Sequence, residues 1–230
     1  MESMTVDKTA LIVGGTGLVG GHCLRLLVQQ PAYARVVALL RRPAPIEDPR
    51  LSQRIVDFDR LDGAEFAGVT DVFCALGTTI AKAGSEEAFY QIDYRYPITI
   101  ARLAEKAGVK QFVLVSSVGA DPRSTSFYLR VKGELEQELS GASFAAVHVL
   151  RPSLLLGERG EVRKGEAIGV AAAQTLRFTM KGGLRRYRPI DARTVAGAMV
   201  AAALQGRPGR HVYHFDDMEA LAKGLGVAQA

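Results

Sequence analysis

Residues 11–21 read LIVGGTGLVGG, and no other stretch of the chain restricts its fold as tightly. An apolar run without polar alternation, TALIV, ends in glycines at 14, 17 and 20. Such a run suits a strand covered on both faces, as in a parallel sheet. Glycines at this spacing let the chain turn sharply out of the strand and let backbone approach a pyrophosphate. They also let the next helix pack close to the sheet, its amide groups and positive end meeting the phosphate charge. A tight turn with no ligand is the plainer alternative, but the place of the motif, after a strand and before a helix, favours a dinucleotide loop. Its candidate binding residues are Gly14, Thr16, Gly17, Leu18, Val19 and Gly20.

Short β-rich runs alternate with helical ones through the chain. RVVALL, QRIVDF, TDVFCAL, QFVLVS and AAVHVL continue the strands. Residues 85–108 predict a long helix in which Pro97 makes a kink or marks the true start. A second runs from about 126 to 140, a third covers residues 165–180, and RHVYHFD reads as a last strand. The expectation is an α/β, doubly wound parallel sheet, the Rossmann fold. One domain spans 1–230, with about 152–230 contributing a small lobe on the substrate side.

Composition narrows the classes. A hydrophobic fraction of 48% and a charged fraction of 23% are those of a globular chain. No apolar run is long enough to span a membrane, and the glycine-broken LIVGGTGLVGG is no signal peptide. The only two cysteines, Cys23 and Cys74, sit in apolar segments without metal-ligand spacing. A cytoplasmic protein without a metal site follows as the expectation. The net charge of +5 is scattered, which argues against nucleic acid and suits a phosphorylated small molecule. The four histidines show no metal pairing and read as structural. Nothing in the pattern marks an oligomer interface.

The end of the second strand should meet the adenosine ribose. An NAD site places a carboxylate there; this chain has Arg41 and Arg42, whose guanidiniums suit a 2′-phosphate. NADP(H) is therefore expected over NAD(H). Asp57 or Phe58 would border the adenine, Asp57 being equally at home as a strand-end turn residue. Leu76, Gly77 and Thr78 follow the fourth strand, where a glycine lets a cofactor pass close to backbone.

The fifth strand ends at Ser116 and Ser117, and a short loop leads to Tyr128 and Lys132, four apart on one helical face. An ammonium near a phenol favours the phenolate, so the hydroxyl becomes able to exchange a proton near neutral pH. A tyrosine and a lysine on a helix surface are also common by accident; the serines and the glycine loop before them give the pair its weight.

In this order the motifs resemble the short-chain dehydrogenase/reductase superfamily. VDFDRLD, LGTTIAKAG, SSVGAD with FYLRVKGELE, and LRPSLLLGER are similar to its atypical branch, which includes the Tat-interacting-protein oxidoreductases. The resemblance implies Tyr128 as acid/base, Lys132 as the residue that tunes it and binds the nicotinamide ribose, and Ser117 as the carbonyl-orienting hydroxyl, with Ser116 the other candidate. Pro152 and Ser153 would neighbour the carboxamide. Many relatives relay protons through an asparagine on the preceding helix; this chain contains no asparagine, and Asp93 stands near that place. The expected function is NADP(H)-dependent hydride transfer between a carbonyl and an alcohol on a small-molecule substrate. Two rivals are an NADPH-sensing regulatory protein and a nucleotide-sugar epimerase or dehydratase, the latter disfavoured by the short C-terminal half.

Overall fold

Continuous apolar strands need cover on both sides, and the chain supplies it with two helical layers around one sheet. The computed structural model describes residues 8–157 and 180–227. Its strands are β1 (Lys8–Val13), β2 (Tyr33–Leu40), β3 (Leu51–Ile55), β4 (Asp71–Cys74), β5 (Gln111–Val115), β6 (Ala146–Leu150), β7 (Leu155–Leu156), β8 (Ile190–Asp191) and β9 (Gly209–Tyr213). The main sheet runs β3-β2-β1-β4-β5-β6-β9 with every pairing parallel. Strand order reverses between β1 and β4, and that switch opens a crevice at the carboxyl edge. The doubly wound α/β fold expected from the alternation is present.

The helices are α1 (Leu18–Gln29), α2 (Ile80–Ala83), α3 (Glu86–Tyr90), α4 (Tyr96–Lys106), α5 (Phe127–Leu139), α6 (Ala192–Gln205) and α7 (Phe215–Gly224). Within β1, Ala10 and Ile12 join a core with α1, α6 and α7, while Leu11 and Val13 join one with α4 and α5. Small residues make α6 a buried strut: a Cβ at Gly197 would stand 3.2 Å from that of Ala222 on α7. The small ribbon β7-β8 lies beside the sheet, whereas β9 extends the sheet itself. Residues 165–180, expected as a helix, fall largely outside the described residues. Among those described, no helix is long and apolar enough to cross a membrane.

The long helix expected over 85–108 comes in three parts. Ser85 caps α3, its Oγ accepting from the Ala88 amide at 3.1 Å. A π-helical turn, Gln91–Arg95, then joins α3 to α4, with the Tyr96 amide bonded to the Gln91 carbonyl five residues back. Pro97 explains the widening. It has no N–H for the carbonyl of Asp93, and its ring crowds that position in a regular helix.

A chain of buried polar side chains runs beneath α6. Tyr33 Oη donates to Asp71 Oδ2 at 2.9 Å, and Gln111 Nε2 donates to Asp71 Oδ1 at 3.0 Å and to the Ala203 carbonyl at 3.1 Å. His148 lies 3.3 Å from Gln111 Oε1 through Nε2 and 3.0 Å from Tyr213 Oη through Nδ1. Burial, with lesser contributions from His211 and Arg207, pushes His148 down to about 4. Its unfolded value is about 6.5, so between those values the unfolded chain binds the extra proton. Stability therefore falls as pH drops from 6.5 towards 4, by about 1.4 kcal/mol per unit from this group. Urea unfolding at pH 6.5 and 4.5 should show a loss roughly 2 kcal/mol larger in the parent than in His148→Gln. Equal losses would remove His148 as the cause.

Candidate active site

The loop after β1 is built from backbone alone. Gly14 adopts φ +80°, and the Gly17 amide closes the turn on the Gly14 carbonyl at 2.8 Å. A Cβ at Gly14 would stand 2.5 Å from the Ala75 carbonyl oxygen, and one at Gly20 only 2.1 Å from the Gly14 oxygen. Both lie below any tolerable contact, so β1, β4 and α1 meet there without room for a methyl group. Thr16 and Gly17 are exposed at the tip. Val19 is buried in the core, and Leu18 packs against Gly157. No side chain caps α1 and no acid occupies its first turn, so its leading amide groups face the crevice unclaimed by side chains. The residues fit a dinucleotide pyrophosphate.

Around this loop the candidate residues divide. Arg41 and Arg42 directly follow β2, are exposed, and have no ion-pair partner among the described residues. Asp57 fills the strand-end turn role, its carboxylate accepting from the Asp59 amide at 3.0 Å and capping a 3₁₀ turn. Phe58 is 7% exposed and packs on Tyr96, with ring centroids 5.6 Å apart. Both lie beyond the strand, which ends at Ile55, earlier than the sequence pattern implies. Leu76 packs against the core under α4 and α5, and Gly77 and Thr78 form the loop over α5.

Ser116 and Ser117 have different fates. The Ser116 hydroxyl donates to Glu136 Oε1 at 2.6 Å, inside the protein. Glu136, 2% exposed, also receives Arg151, whose Nη2 lies 2.7 Å from Oε2, and Arg210 at 3.2 Å. This carboxylate joins the ends of β5 and β6 to β9. It was missed in the sequence, although Tyr128, Lys132 and Glu136 recur at four-residue spacing on one face of α5. Ser117 Oγ has only a 3.3 Å contact to the Val118 carbonyl, which leaves it the free hydroxyl of the two. Pro152 is buried and its carbonyl accepts from the Val118 amide at 2.9 Å. Ser153 donates to the Arg188 carbonyl.

On α5, Tyr128 is half-buried with its ring 5.6 Å from that of Phe89. One turn on, Lys132 is 3% exposed and its Nζ lies 2.7 Å from Asp93 Oδ1. Burial alone would drive the ammonium's pKa down. The Asp93 carboxylate, helped by Tyr128, more than offsets that and leaves it raised, so Lys132 is charged at neutral pH. Removing one member of such a buried pair costs about 3–5 kcal/mol. The second oxygen of Asp93 accepts from the Thr78 amide at 2.9 Å. The ammonium thus sits beneath the loop after β4, 3.7 Å from where a Gly77 Cβ would stand.

Comparison with known proteins bears on the family and the fold. A family model described as NAD(P)H-binding matches residues 14–203. The protein HTATIP2 of Rattus norvegicus is 38% identical over 165 residues, covering 70% of this chain and 68% of its own. Protein fmp52, mitochondrial, of Aspergillus clavatus is 34% identical over 206 residues, covering 86% and 88%. Among solved structures, MoeE5 in complex with UDP-glucose and NAD superposes with a TM-score of 0.68 at 20% identity, covering 94% of this chain and 81% of that one. That likeness shows the fold. The cytoplasmic expectation is overturned, since the fungal relatives are named as mitochondrial. Buried free thiols and the lack of a long apolar run do not separate those two locations.

A Gly20→Ala variant tests the loop. Its methyl group has to displace the Gly14 backbone, so NADPH and NADH binding should weaken at least tenfold on fluorescence titration while the circular dichroism spectrum persists. Unchanged affinity would break the link between this close contact and the cofactor.

Proposed function

The chain belongs to the NAD(P)H-binding family of the short-chain dehydrogenase/reductase superfamily, and from that premise we propose that it is an NADP(H)-dependent oxidoreductase acting on a carbonyl or alcohol. The observation that carries this reading is the buried, charged Lys132 one helical turn from Tyr128, at the sheet edge that also holds the glycine loop. A nicotinamide dinucleotide, when bound, supplies the hydride. The residues that would hold it are the amide groups of 14–20, the arginines at 41–42 and Lys132. Ser117 hydrogen-bonds the substrate oxygen and fixes its position. Tyr128 gives that oxygen its proton during reduction and takes it back during oxidation. Lys132 keeps a positive charge beside the phenol throughout, which stabilises the phenolate left when Tyr128 gives up its proton.

Tyr128→Phe should lower turnover on any aldehyde, ketone or quinone that the parent reduces by on the order of 10²–10⁴-fold, with NADPH affinity little changed. Full turnover in that variant would defeat the mechanism. Tight NADPH binding with no turnover across a broad carbonyl screen would favour the sensing role instead.

The exposed guanidiniums of Arg41 and Arg42, without an ion-pair partner among the described residues, support NADP(H) as the cofactor. In side-by-side titrations NADPH should bind at least tenfold more tightly than NADH, and Arg41→Ala/Arg42→Ala should erase the difference. Equal affinities in the parent would sink the preference.

A further inference from the structure

The carboxylate of Asp93 is completely buried and bonds in two directions at once. Oδ1 meets the Lys132 ammonium at 2.7 Å and Oδ2 accepts the Thr78 amide at 2.9 Å. Three separate segments, the π-helical turn, α5 and the loop after β4, therefore converge on one side chain. That loop already touches the glycine turn, since the Ala75 amide donates to the Val13 carbonyl at 3.0 Å.

We propose that Asp93 is a positioning residue of the site: its two oxygens lock the Lys132 ammonium to the Gly77–Thr78 loop, so that lysine and loop present themselves to the cofactor as one unit. The inference rests on the reading of Lys132 as a site residue. It assigns Asp93 a task different from a proton relay. An asparagine could accept from the Thr78 amide as well, but it could not balance a buried positive charge. The groups that face the ammonium are Asp93 from the π-helical turn, Tyr128 from its own helix and the Cys74 thiol from β4. The thiol is pushed up to about 11 by burial, so it is neutral and leaves Asp93 as the one counter-charge among these three at neutral pH. With Asp93 gone, burial loses its main opponent at the lysine, which should lose its proton at lower pH.

The test separates Asp93 from the oxidoreductase reading. In protein labelled with ¹³C-lysine, the Lys132 Cε resonance is assigned by its disappearance in Lys132→Met. The parent resonance should hold its charged position up to about pH 10, near the ordinary lysine value. In Asp93→Asn it should titrate at a proton concentration at least tenfold higher. An unchanged titration overturns the proposal, whatever the protein does with cofactor. In the second arm, NADPH affinity of Asp93→Asn should fall, relative to the parent, over the pH range in which its Lys132 resonance titrates. The double variant Asp93→Asn/Lys132→Met lacks both charges and remains testable if the single variant is too unstable. It should bind NADPH within twofold of Lys132→Met, because the carboxylate acts through the lysine. A tenfold gap between those two overturns the proposal as well. Absence of NADPH and NADH binding in the parent would instead defeat the functional reading, and the lysine titration would still decide the role of Asp93.

Discussion

Three backbone segments meet at the carboxyl edge of β1 with no space for a single methyl group. Gly14 lies against the carbonyl of Ala75, and Gly20 lies against the carbonyl of Gly14. Main-chain contact of this kind fixes the distance between β1, β4 and α1 more rigidly than side-chain packing can, because backbone cannot change rotamer. From it follow the turn that points the leading amides of α1 into the crevice and the height of the loop after β4. That loop then roofs Lys132. The glycine turn and the Lys132 end of the candidate site are thus set by one steric condition, although they come from distant parts of the chain.

Among the described residues, the buried carboxylates are held from more than one side. Glu136 collects Ser116, Arg151 and Arg210, and Asp93 collects Lys132 and the Thr78 amide. An isolated carboxylate in such surroundings would be strongly disfavoured. Satisfied as they are, these two act as rivets between strands and helices. Glu136 closes the sheet on the β6–β9 side and Asp93 closes the crevice on the β4 side. Tyr128 precedes Lys132 and Glu136 along α5, on a helix whose other two inward polar residues are both held in place. At Gly133 that helix runs so close to the preceding loop that a Cβ would come within 2.2 Å of Asp121 backbone.

Much of this was legible from residue order. The apolar runs without alternation, the glycine spacing and the four-residue repeat on α5 each answer to a local rule, and the sheet, the tight glycine turn and the placement of Tyr128 and Lys132 on one helix follow from them. What could not be read depended on contacts between distant segments. Adjacent serines at the end of β5 point different ways, but which one meets Glu136 is decided by where α5 packs. Asp57 and Phe58 look like the end of a strand, yet pairing with β2 stops at Leu40 and Ile55, and the chain then coils into a 3₁₀ turn. Asp93 stood out only as the residue where an asparagine was expected. Its grip on Lys132 required knowing how the helix bends. Cellular address is not written in packing rules at all, which is why the composition pointed to the wrong compartment.

The π-helical turn amounts to one surplus residue wound into an otherwise regular rod. A regular helix advances about 100° per residue, so everything beyond the turn is rotated by that amount relative to an unbroken rod. Ile98, Ile100, Ala101 and Ala104 reach the core only because of this offset. Excising any single residue between 91 and 95 would remove that offset and press the Pro97 ring into a tighter turn, and it would swing the acid off its lysine and turn the greasy side of α4 outward. Chain length in this segment is therefore as tightly constrained as any side chain in the crevice.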